Sequence, residues 1–211
     1  MVISRILSTF AQHLSADAGF FLVNPLTTMF LQYLKTLLQL ILAPRKAWDD
    51  VAEDNPSATL MAERGLYPLL AIMAATAFCH GLYNPDTFTV ASSLMTALAQ
   101  FLSLFLTQLI ARSVLESALP PLEADRIAYL RNELVPVFCT GLLALINIVA
   151  NLCPIELAIF WFLPVLLIIV FWHTTDYLLI KTDKTGAFMG LLTVLLVIVP
   201  VLLNFILSLV L

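Results

Sequence analysis

Charge is the scarcest thing in this sequence. Asp, Glu, Lys and Arg make up 11% of its residues and hydrophobic residues 61%, against roughly 25% and 45–50% in soluble domains. At a mean hydropathy of +0.99 there is too little polar surface to cover a soluble core. Cysteine is also sparse. Cys79, Cys139 and Cys153 stand singly in or at the end of apolar runs, without a CxxC, which excludes a disulfide framework and reads as small apolar packers. GxxxxGK[ST], GxGxxG, HExxH and GxSxG are all missing, so nothing points to a nucleotide-driven or hydrolytic enzyme. No catalytic residue, cofactor or metal is expected, and the net charge of −4, spread over short loops, offers nothing to nucleic acid. The N-terminal apolar stretch is broken by Gln12, His13 and Asp17, so a cleavable signal is not expected.

What the chain has instead is length without charge. Residues 65–85, 87–111, 134–155, 157–175 and 185–211 form five apolar runs free of Asp, Glu, Lys and Arg. About 20 such residues span a bilayer as a helix, and in hydrocarbon only a helix pairs every backbone group within its own segment. The expected fold is therefore an all-α integral membrane protein: residues 1–64 form a cytoplasmic or interfacial region and residues 65–211 a five-helix transmembrane domain. The loops orient it. Arg5, Lys35, Arg45, Lys46 and Arg64 precede the first span; Arg112, Arg126 and Arg131 fall in the second loop, and Lys181 and Lys184 in the fourth. All ten lie on the N-terminal side, so the N-terminus is expected in the cytoplasm and the C-terminus outside.

Ahead of the spans, Val2, Ile3, Ile6, Leu7, Phe10 and Leu14 have the spacing of a short surface helix. Leu26, Met29, Phe30, Tyr33, Leu34, Leu37, Leu38 and Ile41 then make one apolar face, with Thr27, Thr28, Gln32, Lys35, Thr36 and Gln39 opposite. That 3.6-residue period predicts an amphipathic helix lying in the membrane interface. Pro44 opens a second short helix, which Asn55-Pro56-Ser57 ends. Its Asp49, Asp50, Glu53 and Asp54 give a wet acidic face, while Ala47, Trp48, Val51 and Ala52 are expected to lie on the membrane. With Arg45 and Lys46 the segment reads as a membrane-surface or partner platform. A further short cytoplasmic helix is expected over Leu122–Leu134.

The spans hold few groups able to do chemistry. His80 and His173 stand about 20 Å or more apart in depth and cannot share a metal; His173 and Asp176, three apart, are placed to pair at a helix end. Amides are more informative. Asn147 and Asn151 stand four apart in the outer half of the third span, Asn204 reaches a similar depth on the fifth, and Gln100 lies near mid-membrane on the second. They read either as interhelical hydrogen-bond partners or as the lining of a small polar cavity. Pro200 fits both, because it leaves the Leu196 carbonyl without a helix partner. Gly186 and Gly190 form a GxxxG, with Ala71 and Ala75 a second small pair, suited to a close helix crossing within the chain or to a homo-oligomer.

The amphipathic helix followed by APRKAWDDVAEDNP (Ala43–Pro56), by YPLLA (Tyr67–Ala71) and by five spans resembles a bacterial member of the Yip-one family, the Ypt/Rab-interacting membrane proteins. The P-x-x-x-W helix, the segment Tyr177-Leu-Leu-Ile-Lys181 and Pro200 carry the likeness, which runs from Leu26 to the end. It implies a cytoplasmic N-terminus, five helices and, for a bacterial member, the inner membrane. The Rab binding of eukaryotic members is not carried over. The long tail with its D-L-Y-G-P motif is missing, and Gly81-Leu-Tyr-Asn-Pro85 falls in an outer loop. The function expected is that of a non-enzymatic polytopic protein organising membrane lipid or partner proteins. The alternative is a small transporter or channel with a path lined by Gln100, Asn147, Asn151 and Asn204, and an accessory subunit of a membrane enzyme is a weaker third.

Overall fold

The computed structural model describes residues 25–80, 89–118, 126–153, 163–178, 180 and 184–210. Among them the chain is helical, without a strand. Helix α1 is Pro25–Leu42 and α2 is Pro44–Asp54. Residues 58–80 form α3, as Ala58–Met61, a π-turn at Ala62–Leu66 and then Tyr67–His80. Helix α4 is Val90–Ala118, α5 is Arg126–Leu152 and α6 is Leu163–Tyr177. Helix α7, Thr185–Val210, also contains a π-turn, at Val194–Ile198.

Three of these helices are long and apolar enough to cross a membrane: Val90–Ala118, Asn132–Leu152 and Thr185–Val210, of 29, 21 and 26 residues. The runs expected at 65–85 and 157–175 appear as Tyr67–His80 and Leu163–Tyr177, of 14 and 15 residues. At 1.5 Å per residue these reach about 21 and 23 Å; Gly65 and Leu66 belong to the π-turn that leads into the first, and residues 81–85 and 157–162 lie outside the described residues. So does the expected helix over residues 1–18. One boundary is corrected. The separate short helix expected over Leu122–Leu134 is, from Arg126 onward, the first part of α5 itself. Pro136 stands inside that helix without ending it, and Glu133 ties its lower part to α4 through Arg112 at 2.7 Å.

Both π-turns end one residue short of a proline, Pro68 and Pro200 respectively. A proline brings no N–H and its ring pushes on the carbonyl four residues back. The wider turn takes up that mismatch, with Tyr67 N–H donating to the Ala62 carbonyl and Val199 N–H to that of Val194. Both helices thereby continue past their prolines.

The core gathers where α1 and α2 meet the long helices. Tyr33 and Leu37 on α1 are fully buried. The Tyr33 ring stacks on Phe138, 5.5 Å between centroids, and its hydroxyl donates to the Val137 carbonyl at 2.8 Å. Two glycines make room for it. A Cβ on Gly65 would stand 2.7 Å from the ring's Cδ2, and one on Gly141 3.0 Å from Cζ. Burial, and secondarily the Cys139 thiol, hold the Tyr33 phenol well above its ordinary 10.0.

The predicted stripe of α1 is therefore divided. Tyr33 and Leu37 pack inward, joined by Leu40 from outside the stripe, whereas Leu38, expected on the same face as the first two, is 55% exposed and lies in an outward row with Leu31 and Leu42. Trp48 on α2 is a second correction. Read as lying on a membrane, it is 2% exposed, stacked on Tyr177 at 4.7 Å and set edge-on to Phe138 at 6.1 Å. Ala47 and Val51 are buried with it. The physical reason is that α2 follows α1 after the single residue Ala43, which turns the apolar face of α2 onto the end of the helix bundle. The Gln39 amide, donating to the Asp50 carboxylate, closes that corner. Asn55, at φ 42°, ends α2 in the left-handed region, and the Ser57 hydroxyl accepts from Leu60 N–H to start α3.

Trp48→Ala should cost about 3–5 kcal/mol and Gly141→Ala about 1–3 kcal/mol through overpacking, both read as lower thermal midpoints in detergent. Tyr33→Phe should cost about 1 kcal/mol, one hydrogen bond. The phenol is neutral in the fold and its pKa is raised, so its contribution is complete below pH 10 and is lost as pH rises beyond it. The midpoint of the wild type should accordingly fall more steeply above pH 10 than that of Tyr33→Phe.

Candidate functional site

Helices α4 and α5 run antiparallel, in a register fixed at two levels. At one end Arg112 pairs with Glu133. Toward the other, Asn151 Nδ2 donates to Gln100 Oε1 at 3.0 Å, and Gln100 Nε2 returns a longer contact to Asn151 Oδ1 at 3.4 Å. The same Asn151 amide reaches Thr76 Oγ1 at 3.3 Å on α3, and Thr76 donates to the Met73 carbonyl. One buried asparagine thus joins three helices. Of the two readings of these amides, interhelical bonding describes Gln100 and Asn151.

The other reading describes the rest. Beside that junction a cavity of about 230 Å³ lies among α4, α5, α6 and α7. Its polar lining is Gln100, Ser103, Asn147 and Asn204, and Pro200 stands in its wall. Leu104, Leu143, Ile146, Leu167 and Val197 supply most of the apolar remainder, and no residue lining it carries an ionisable side chain. Asn147 Nδ2 donates to its own helix at Leu143 O, 2.9 Å away. Asn204 has no hydrogen-bond partner among the described residues. Asn147 and Asn204, expected at a similar depth in the outer half, and Gln100, expected near mid-membrane, share the surface of this one cavity. Asn151 is turned away from it, into the three-helix junction.

Several partners left little trace in the sequence. Thr76 and Ser103 look like ordinary small residues of an apolar run. Ser103 and Thr107 are buried but bond back to carbonyls of their own helix at 2.9 and 2.7 Å, so their burial costs little. Gln108 Oε1 and Thr140 Oγ1 are different. Both are buried without a partner among the described residues, and the register set by the two cross-helix pairs puts them at about the same level. The slot that Gly65 and Gly141 make for Tyr33 went unread as well, because glycine spacing alone names no occupant.

Among the described residues the small-residue motifs make no close helix crossing. A Cβ on Gly186 or Gly190 would meet nothing within 4 Å, and Ala71 and Ala75 are exposed. The expected His173–Asp176 proximity is present as a wide 3.9 Å contact, with Asp176 exposed. Among the described residues no three His, Cys, Asp or Glu side chains converge on a metal position. On α2, Arg45, Lys46, Asp49, Glu53 and Asp54 are exposed and Asp50 half-buried. None of the six makes an ion pair among the described residues.

The fold and the uncharged cavity together describe an all-helical chain compatible with an integral membrane protein. No protein-family model, no curated protein and no solved structure matches this chain.

Cross-helix bonds of this kind contribute about 0.6–2 kcal/mol each. Asn151→Ala, which removes bonds to two helices, should lower the thermal midpoint clearly, while Asn147→Ala, which removes a bond within its own helix, should leave it nearly unchanged. Equal losses in detergent melts would contradict the division between them. Thr140→Val should raise the midpoint, since it removes a buried hydroxyl without a partner among the described residues.

Proposed function

We propose that this chain is a non-enzymatic polytopic membrane protein of the Yip-one type, which organises membrane lipid or partner proteins at the bacterial inner membrane. The observation that carries the reading is the placement of α2. Its apolar side is held against the helix bundle by Trp48, and Arg45, Lys46, Asp49, Glu53 and Asp54 stand outward without ion pairs among the described residues. A charged surface fixed in orientation is what a docking platform needs, because little ordering remains to be done on binding. Trp48 enters this reading as the anchor of the platform to its own bundle, not to lipid headgroups.

In this reading α1 lies in the membrane interface, with Leu31, Leu38 and Leu42 toward lipid. The chain crosses the membrane five times, through α3 to α7 together with the residues that flank α3 and α6. Its N-terminus is cytoplasmic and its C-terminus outside. The gathering of Lys and Arg on one side of the apolar runs supports that orientation. Arg45 and Lys46 meet anionic headgroups, each worth about 1 kcal/mol near such a surface. Asp49, Asp50, Glu53 and Asp54 face a cytoplasmic protein.

Reversal of Arg45 and Lys46 to Glu should deplete anionic lipid from the purified protein, measured by lipid mass spectrometry. Neutralising Asp49, Glu53 and Asp54 should remove crosslinks to cytoplasmic proteins while leaving the lipid profile in place. Profiles unchanged in both variants would contradict the reading.

A second reading, a small transporter or channel, draws on the cavity lined by Gln100, Asn147 and Asn204. It requires solute flux in liposomes that falls on Asn147→Leu and Asn204→Leu; wild-type protein without flux would remove it.

A further inference from the structure

The cavity has a chemistry of its own, separate from the platform and from any requirement for transport. Its hydrogen-bonding groups divide into those already used and those left over. Ser103 donates to the Gln100 carbonyl, and both ends of the Gln100 amide are engaged with Asn151. Asn147 spends one N–H on Leu143 and keeps its carbonyl oxygen. Asn204 keeps its whole amide, since no described residue bonds to it. The free set is therefore two acceptor oxygens and an NH₂ donor, on two different helices, facing one space.

Leaving such groups unsatisfied in an apolar surrounding costs the desolvation of each without a bond in return. That cost is recovered by an occupant able both to donate and to accept. The absence of any ionisable lining residue decides against an ion, because a charge moved into this space would lose its hydration without gaining a counter-charge. Size limits the occupant too. At about 230 Å³ the space falls below the roughly 300–1,000 Å³ of a drug-sized pocket, so it suits a single ring or a short polar head.

The route in is also visible. Val201, which lines the cavity, is 66% exposed, and its neighbour Leu202 is 53% exposed, on the outward apolar side of α7. The space thus opens toward the surface that hydrocarbon would cover. Pro200 and the π-turn before it keep the backbone of α7 from closing into a regular helix there.

We propose that this cavity binds a small uncharged amphiphile taken from within the bilayer, with Asn147 and Asn204 bonding its polar group and the leucines of α4 and α5 holding its apolar part.

The full chain in lipid nanodiscs, titrated with three fluorinated probes of one shape and read by ¹⁹F NMR against empty nanodiscs, tests this. 4-Fluorobenzamide should bind saturably. 4-Fluorotoluene, which lacks the polar group, and 4-fluorobenzoate, which carries a charge, should each bind at least about tenfold more weakly, the equivalent of about 1.4 kcal/mol. Asn204→Leu should weaken the benzamide about tenfold or more with the thermal midpoint retained, as that residue is half-exposed and bonds to no described residue. Leu143→Phe, which fills the space, should abolish binding while leaving the fold intact. No saturable binding of the benzamide above empty nanodiscs would overturn the proposal. So would equal affinity for toluene or benzoate, or unchanged affinity in both folded variants.

Discussion

The seating of Tyr33 between Gly65 and Gly141 is the contact on which the rest of this structure depends. It joins three elements distant in sequence: α1, the π-turn at the start of α3, and the middle of α5. The ring could not enter if either glycine carried a Cβ, and without the ring the two glycines would face a void. Its hydroxyl completes the fit on the Val137 carbonyl. Phe138, on which that ring stacks, also takes the edge of Trp48, and Trp48 lies in turn on Tyr177 of α6. One continuous aromatic stack therefore seats α1 and α2 on the bundle. The aromatic pairs add about 0.5–1.5 kcal/mol each beyond their buried area.

Farther along the bundle the ordering principle changes from aromatic packing to amides. Asn151 draws α3, α4 and α5 together, and the space left beside it, against α7, becomes the cavity. The two halves of the molecule are thus built for different ends. The aromatic end fixes a charged helix at the surface. The amide end holds open a small neutral space, with Pro200 and its π-turn in the wall. Both helices continue past the proline that follows their π-turn, with Tyr67 packed on Phe105 in the first and Asn204 on the cavity in the second.

What the sequence made legible follows from which signals are local. Charge-free runs longer than 20 residues announce helices whatever surrounds them, and α4, α5 and α7 were readable from that alone. The depth of Gln100, Asn147 and Asn204 was equally countable, because helical rise is constant. Facing was not. Period alone put Trp48 and Leu38 on apolar faces without saying whether lipid or protein would cover them. The answer lay in the sharp corner at Ala43 and in aromatic partners 90 and 129 positions later, at Phe138 and Tyr177. The glycine slot was hidden for the same reason, since its occupant is 32 residues from one wall and 108 from the other. Gly186 and Gly190, a motif readable in one line, leave open space where a Cβ would stand among the described residues.

The central claim is that α2 is held rigidly on the helix bundle through Trp48, so that its charged side has one orientation. Pulsed electron–electron spin resonance measures this directly. The chain, with its three native cysteines replaced, would carry spin labels on cysteines introduced at the exposed positions Asp54 and Ser117. In nanodiscs one narrow distance distribution is predicted, broadening when Trp48 is changed to Ala. A broad distribution in the chain that retains Trp48, or one indifferent to its loss, would contradict the account.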